Sequence, residues 1–287
     1  MSDKISVLLD TDPGNDIDDA VAISYLLRQP RCELVGITTV SGPVAERAAI
    51  AEVLCRSVGR DDVPIVAGRS TVLSYGQGQP WCSQYPPISH LPHSLDYPEN
   101  EAVDFLRRTI RSRPGEITLV NIGPFMNLAL LFALDPEIPF LLKGLYTMAG
   151  KFFIGNEPEW NCLIDPVATS MVVKAPRADH YWFGLDVTTR CVMSPEEVAK
   201  KFVGQPLETV VPMAQNWFAH TKKMVFHDPL AVATIFRPEL CQFRRGRVQS
   251  DARSGSTYFT EGDGNDLVAY DVDVEGFFDE YFSVTQG

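Results

Sequence analysis

No stretch of this 287-residue chain is apolar for long enough to cross a bilayer. Nor does it open on a basic segment followed by an apolar one: Met1-Ser2-Asp3-Lys4 gives way at once to a strand-like run, so no leader is expected. The six cysteines, at 32, 55, 82, 162, 191 and 241, never fall in a CxxC spacing, which argues against a zinc site or a redox pair and for buried, reduced thiols. Positive charge is scarce: 25 Lys and Arg stand against 37 Asp and Glu, a net −12 that disfavours a nucleic-acid backbone as partner. Internal repeats, low-complexity tracts and linkers are also missing. With 45% hydrophobic residues, the expectation is one cytoplasmic domain spanning 1–287, with no membrane partner.

What is present alternates. Strand-like runs at 5–9, 33–40, 63–67, 117–120 and 144–148 are separated by helical patterns at 18–28, 44–58, 99–111 and 127–134. Such alternation predicts an α/β fold with an open, mostly parallel sheet covered by helices on both faces. The later chain reads as helices at 195–202, 207–222 and 229–236, strands at 248–249, 257–259 and 267–272, and a helix at 275–282. Residues 69–98 are irregular; Tyr75, Trp81, Tyr85, His90, His93 and Tyr97 there suggest an ordered loop over a planar ligand rather than a disordered insertion.

The densest signal lies between Asp10 and Asp19. Asp10, Asp12, Asp16, Asp18 and Asp19 crowd the turn between the first strand and first helix. Acids at a helix N-terminus meet free amides and the positive end of the dipole, and Asp10 can serve the turn's backbone alone. Five are more than capping uses, and they repel unless a cation or proton intervenes. Oxygen-only donors call for a hard divalent ion such as calcium or magnesium. Ligands of open α/β sheets sit at the strands' carboxyl ends, where this turn lies.

Five ordered segments then carry a resemblance. Asp10-Thr11-Asp12-Pro13-Gly14 with Asp18-Asp19-Ala20-Val21-Ala22-Ile23 comes first, followed by Thr38-Thr39-Val40-Ser41-Gly42. Gly123-Pro124-Phe125-Met126-Asn127-Leu128-Ala129, then Glu159-Trp160-Asn161 with Asp165-Pro166, and finally His227-Asp228-Pro229 complete the set. Together these resemble the inosine–uridine-preferring nucleoside hydrolase family over roughly the whole chain. The resemblance implies a Rossmann-like nucleoside hydrolase fold with one Ca2+ at the strand ends. It implies hydrolysis of the N-glycosidic bond of a small-molecule ribonucleoside to ribose and free base, in nucleoside catabolism and salvage, by a homo-dimer or homo-tetramer.

By that resemblance the metal is held by the carboxylates of Asp12, Asp19 and Asp228 and the main-chain carbonyl of Met126. Asp12 is the general base toward water, and an oxocarbenium-like ribose forms as the C–N bond breaks. His227 is the general acid toward the departing base, or else a support for the neighbouring ligand. Asp18 grips the 2′-hydroxyl, Glu159 and Asn161 hold sugar hydroxyls, Asn156 lies toward the 5′ end, and Met148 touches the sugar or fills the core at a strand end. Trp81, Tyr85, Trp217 and Phe226 are candidates to stack on the base.

The pattern is departed from twice. The turn carries two extra residues, so Asp16 competes with Asp18 for the ribose, and Pro43 stands where the family commonly has an Asn whose amide enters the site. These departures keep two alternatives open: a ribosyl hydrolase for a nicotinamide or modified-base riboside, and a non-catalytic calcium- and ribose-binding relative.

Overall fold

A computed structural model describes residues 4–155 and 157–287. The first half runs β1 (Ile5–Thr11), α1 (Asp18–Arg28), β2 (Cys32–Thr39), α2 (Val44–Ser57), β3 (Ile65–Ala67), α3 (Ala102–Ser112), β4 (Ile117–Asn121), α4 (Met126–Leu134), α5 (Ile138–Leu141) and β5 (Gly144–Met148). The second runs α6 (Trp160–Ile164), α7 (Pro166–Lys174), β6 (His180–Phe183), α8 (Leu185–Thr188), β7 (Val192–Met193), α9 (Pro195–Lys201), α10 (Leu207–Phe218), β8 (Met224–Val225) and α11 (His227–Phe236). It closes with β9 (Cys241–Ser250), β10 (Thr257–Glu261), β11 (Asp266–Val272) and α12 (Val274–Thr285).

Nine strands form one sheet in the order β10-β9-β11-β6-β5-β4-β1-β2-β3. Every pairing from β3 to β11 is parallel, and β9 runs antiparallel between β11 and β10. This is a single-domain α/β protein. Because both faces are covered, β1 reads as an unbroken apolar run: Val7 and Leu9 join the core with Ile23, Leu26 and Phe236, while Leu8 points the other way toward Leu106, Phe125 and Leu128. β1 lies between β2 and β4, so the strand order reverses at its carboxyl end and opens a crevice there.

Several boundaries differ from the sequence reading. The helix expected from 99 begins at Ala102, after Asn100 turns left-handed at φ 68°. The helix expected to reach 222 stops at Phe218. β6 is a central strand of only four residues between Asp179 and Gly184, too short to display a period. β9 is ten residues long where only 248–249 read as strand, because Arg244, Arg245 and Arg247 face solvent. All six cysteines are buried and free, and no helix among the described residues is long and apolar enough to cross a membrane.

Candidate active site

The acids converge through three chain elements. Asp12 leaves the end of β1, Asp18 and Asp19 open α1, and Asp228 sits in the first turn of α11. Both helices aim their N-termini at the crevice, a favourable field for anions. Asp19 Oδ1 accepts from Thr11 Oγ1 at 2.5 Å and from the Asp12 amide at 3.0 Å. The Asp228 amide donates to Asp18 Oδ2 at 3.1 Å, which ties the two helix starts together. Gly123, just past β4, comes so close that an added Cβ would lie 2.7 Å from Asp12 Oδ1. Asp10 has the backbone-tying role: Thr38 Oγ1 donates to it at 2.5 Å and Asn127 Nδ2 at 2.7 Å, joining β1 to β2 and α4.

One carboxylate oxygen each from Asp18, Asp19 and Asp228 lies within 4.8 Å of the others, all three residues buried. Asp12 stands beside this trio with its carboxylate turned toward Gln79 Nε2. Burial is the main force raising the proton affinity of Asp12, Asp18, Asp19 and Asp228, and neighbouring carboxylates add to it at Asp12, Asp18 and Asp228. Arg47, wholly buried on α2, is the nearby counter-charge. It donates to the carbonyls of Ser41 at 2.6 Å and Pro13 at 3.1 Å and to that of Asp12, and it pulls Asp12 and Asp19 back down. A group of enclosed oxygen donors whose charge one guanidinium answers only in part fits a hard divalent cation. Met126 begins α4, fully buried, and is not part of the cavity wall.

The cluster opens into a cavity of about 510 Å³. Asp16 and Asp18 both line it; Asp16 also accepts from the Ile17 amide at 2.6 Å, and burial pushes it up to about 7. Glu159, Asn161, Met148 and His227 line it too. Glu159 caps α6, accepting from the amides of Asn161 at 2.9 Å and Gly150 at 3.1 Å. Asn161 Nδ2 donates to the carbonyls of Ile122 at 2.9 Å and Met148 at 3.1 Å. His227 Nδ1 is 2.7 Å from Thr188 Oγ1, and burial, aided by Lys223, pulls its pKa down to about 4. Asn156 lies outside the described residues.

Part of the cavity lining is aromatic. Trp81, Trp160 and Trp217 line it with Gln79, Gln84, Asn216 and His220. The 69–98 segment is thus an ordered part of the site. Of the stacking candidates, Trp81 and Trp217 are in the wall. Tyr85 is not, its hydroxyl 2.9 Å from His93 Nε2, and Phe226 is fully buried among Phe277, Phe278 and Tyr281. Sequence reasoning missed Gln79, Arg47 and Thr188, whose partners are remote in the chain. An arginine amid apolar helix positions was the available signal for Arg47.

Enclosed acids at the switch point of an open sheet, able to hold a metal ion and facing a cavity of this size, define a candidate enzyme site of the α/β class. The model of the inosine-uridine preferring nucleoside hydrolase family matches residues 7–279, and the chain belongs to that family. It is 31% identical to the non-specific ribonucleoside hydrolase RihC of Salmonella paratyphi C, over 96% of each chain. It is 29% identical to uridine nucleosidase 1 of Arabidopsis thaliana, over 94% of this chain and 90% of that one. Among solved structures, a purine-preferring ribonucleoside hydrolase from Gardnerella vaginalis superimposes with a TM-score of 0.82 at 25% identity, over 98% of each chain. The protein is therefore an enzyme acting on N-glycosyl compounds.

Proposed function

We propose that this enzyme hydrolyses the N-glycosidic bond of ribonucleosides with Ca2+ as its resident ion, releasing ribose and the free base. The observation that carries the reading is the meeting of Asp12, Asp18, Asp19 and Asp228 on one cavity wall, with Glu159, Asn161 and His227 on the same cavity. The carboxylates of Asp12, Asp19 and Asp228 and the Met126 carbonyl would hold the ion, with Asp18, on the same cluster, toward the 2′-hydroxyl. When bound, calcium orients the ribose diol and lowers the pKa of the attacking water.

Asp12 takes that water's proton as oxygen adds to C1′ and the C1′–N electron pair leaves with the base. Asp18, Glu159 and Asn161 hold the hydroxyls, and the surrounding carboxylates stabilise the positive charge growing on the ring. Asp16 stands as an alternative hydroxyl contact. In this reading Thr188 Oγ1, 2.7 Å from His227 Nδ1, donates to that nitrogen and the ring proton sits on Nε2; with burial pulling the pKa down to about 4, His227 meets the base as a neutral N–H donor. Trp81 and Trp217 offer faces to the base. The same reading places a homo-dimer or homo-tetramer, one domain per chain, in cytoplasmic nucleoside breakdown.

The test is direct. The metal-loaded protein, incubated with inosine, adenosine, uridine, cytidine and nicotinamide riboside, releases reducing sugar from at least one, and a chelator abolishes the release. Calcium-dependent thermal protection without turnover of any riboside would leave only a binding protein.

A further inference from the structure

We propose that Gln79 is the positioning residue of the general base, fixing the Asp12 carboxylate from a loop remote in sequence. The proposal rests on the hydrolase reading above. Gln79 is 1% exposed and lies on the cavity wall. Its Oε1 accepts from Asn15 Nδ2 at 2.7 Å and from Trp160 Nε1 at 3.1 Å. An indole N–H can only donate, so the carboxamide oxygen must face Trp160 and the Nε2 hydrogens must face Asp12 Oδ2. The amide therefore has one orientation, and it presents an N–H donor to the Asp12 carboxyl group.

The loop is pressed into place by its neighbours. Gly42, at φ +63°, comes so near that an added Cβ would lie 2.0 Å from the Gln79 carbonyl oxygen. Gly42 is thus packed directly against the backbone of Gln79. Gln79 further joins the base to both flanks of the site: Asn15 belongs to the acidic turn, and Trp160 lies between Glu159 and Asn161. One Asp12 oxygen is committed to Gln79, which leaves the other to face the ion and the water. Substrate ribose is gripped by different residues, so losing the amide should harm the chemical step and spare binding.

The test compares wild type with Gln79→Met, which keeps length and volume, and Gln79→Glu, which keeps shape but removes the donor. Both are assayed on the riboside that wild type turns over, with calcium affinity measured by titration calorimetry. In Gln79→Met, kcat falls about 10- to 100-fold while KM and the calcium Kd each stay within about threefold. Gln79→Glu, which sets a second carboxylate against Asp12, loses more. An unchanged kcat in Gln79→Met, or a loss confined to KM or to calcium affinity, overturns the assignment. Wild type inert on every riboside sinks the hydrolase reading and this role with it, whereas active wild type beside equally active Gln79→Met sinks this role alone.

Discussion

The acidic and aromatic walls of the cavity are built differently. On the acidic wall Asp12, Asp18, Asp19 and Asp228 are each at most 7% exposed, held by strand ends, helix starts and short hydrogen bonds. On the aromatic wall Trp81 is 52% exposed and Trp160 45%. The acidic wall is fixed by the sheet itself, since moving Asp12 means moving β1. The aromatic wall is carried by the loop around residues 79–84, the first residue of α6 and the end of α10. On the proposed mechanism, reaction chemistry belongs to the rigid side and choice of base to the adaptable one.

That division is most severely challenged at Asp12. Asp12→Asn removes the base and a unit of ligand charge together, and turnover of every riboside should fall by at least about 10⁴-fold. Residual activity above about one per cent would mean that another carboxylate, Asp16 or Asp18, serves as the base. His227 stands at the border between the walls, and His227→Ala should reduce kcat about 100-fold or more on purine or pyrimidine ribosides. On a riboside with an activated leaving group the loss should nearly vanish. Equal loss on both would place the imidazole among the supports of Asp228.

The charge stored in the rigid wall also predicts how the metal-free protein responds to pH. Burial pushes Asp10 and Asp16 up to about 7, above their unfolded value of 3.8. Between these values the folded chain binds more protons than the unfolded one, so stability falls as pH rises through that window. Metal-free protein should therefore lose on the order of 2 kcal/mol for each of these two groups between pH 5 and 7.5. Calcium, favouring the ionised cluster, should flatten or reverse the slope. Acids held low by exposed arginines, such as Asp135 at about 2, are already ionised across this range and add nothing to it. Chelated and calcium-loaded melting curves at several pH values read the difference.

The two walls were also unequally legible in the amino-acid order. Like-charge crowding is a local property, so Asp10 to Asp19 announced a cation before any contact was known. The parallel sheet followed from apolar runs that alternate with helical patterns. Gln79 and Arg47 could not be read that way. Their partners lie 67 and 35 positions away at Asp12, and only the folded chain sets the amide and guanidinium against the turn. Phe226, offered as a ring to stack on the base, misled for the converse reason: it precedes His227 in the chain, yet its ring turns into the core against α12. β9 was nearly lost because its arginines conceal a ten-residue strand beneath a charged face.

The smallest effect belongs to the aromatic wall. Trp217 comes from α10, with its indole N–H donating to the Lys223 carbonyl at 3.0 Å, so its ring is held in place from one edge. Trp81 has no such described bond and is the more exposed of the two. If the rings only stack on the base, each replacement by Ala should raise KM about 5- to 10-fold, the worth of one aromatic contact, and leave kcat within about twofold. Purine ribosides, with the larger face, should suffer more than pyrimidine ones. A loss in kcat as large as that of His227→Ala would erase the division, because an adaptable wall would then be taking part in breaking the bond.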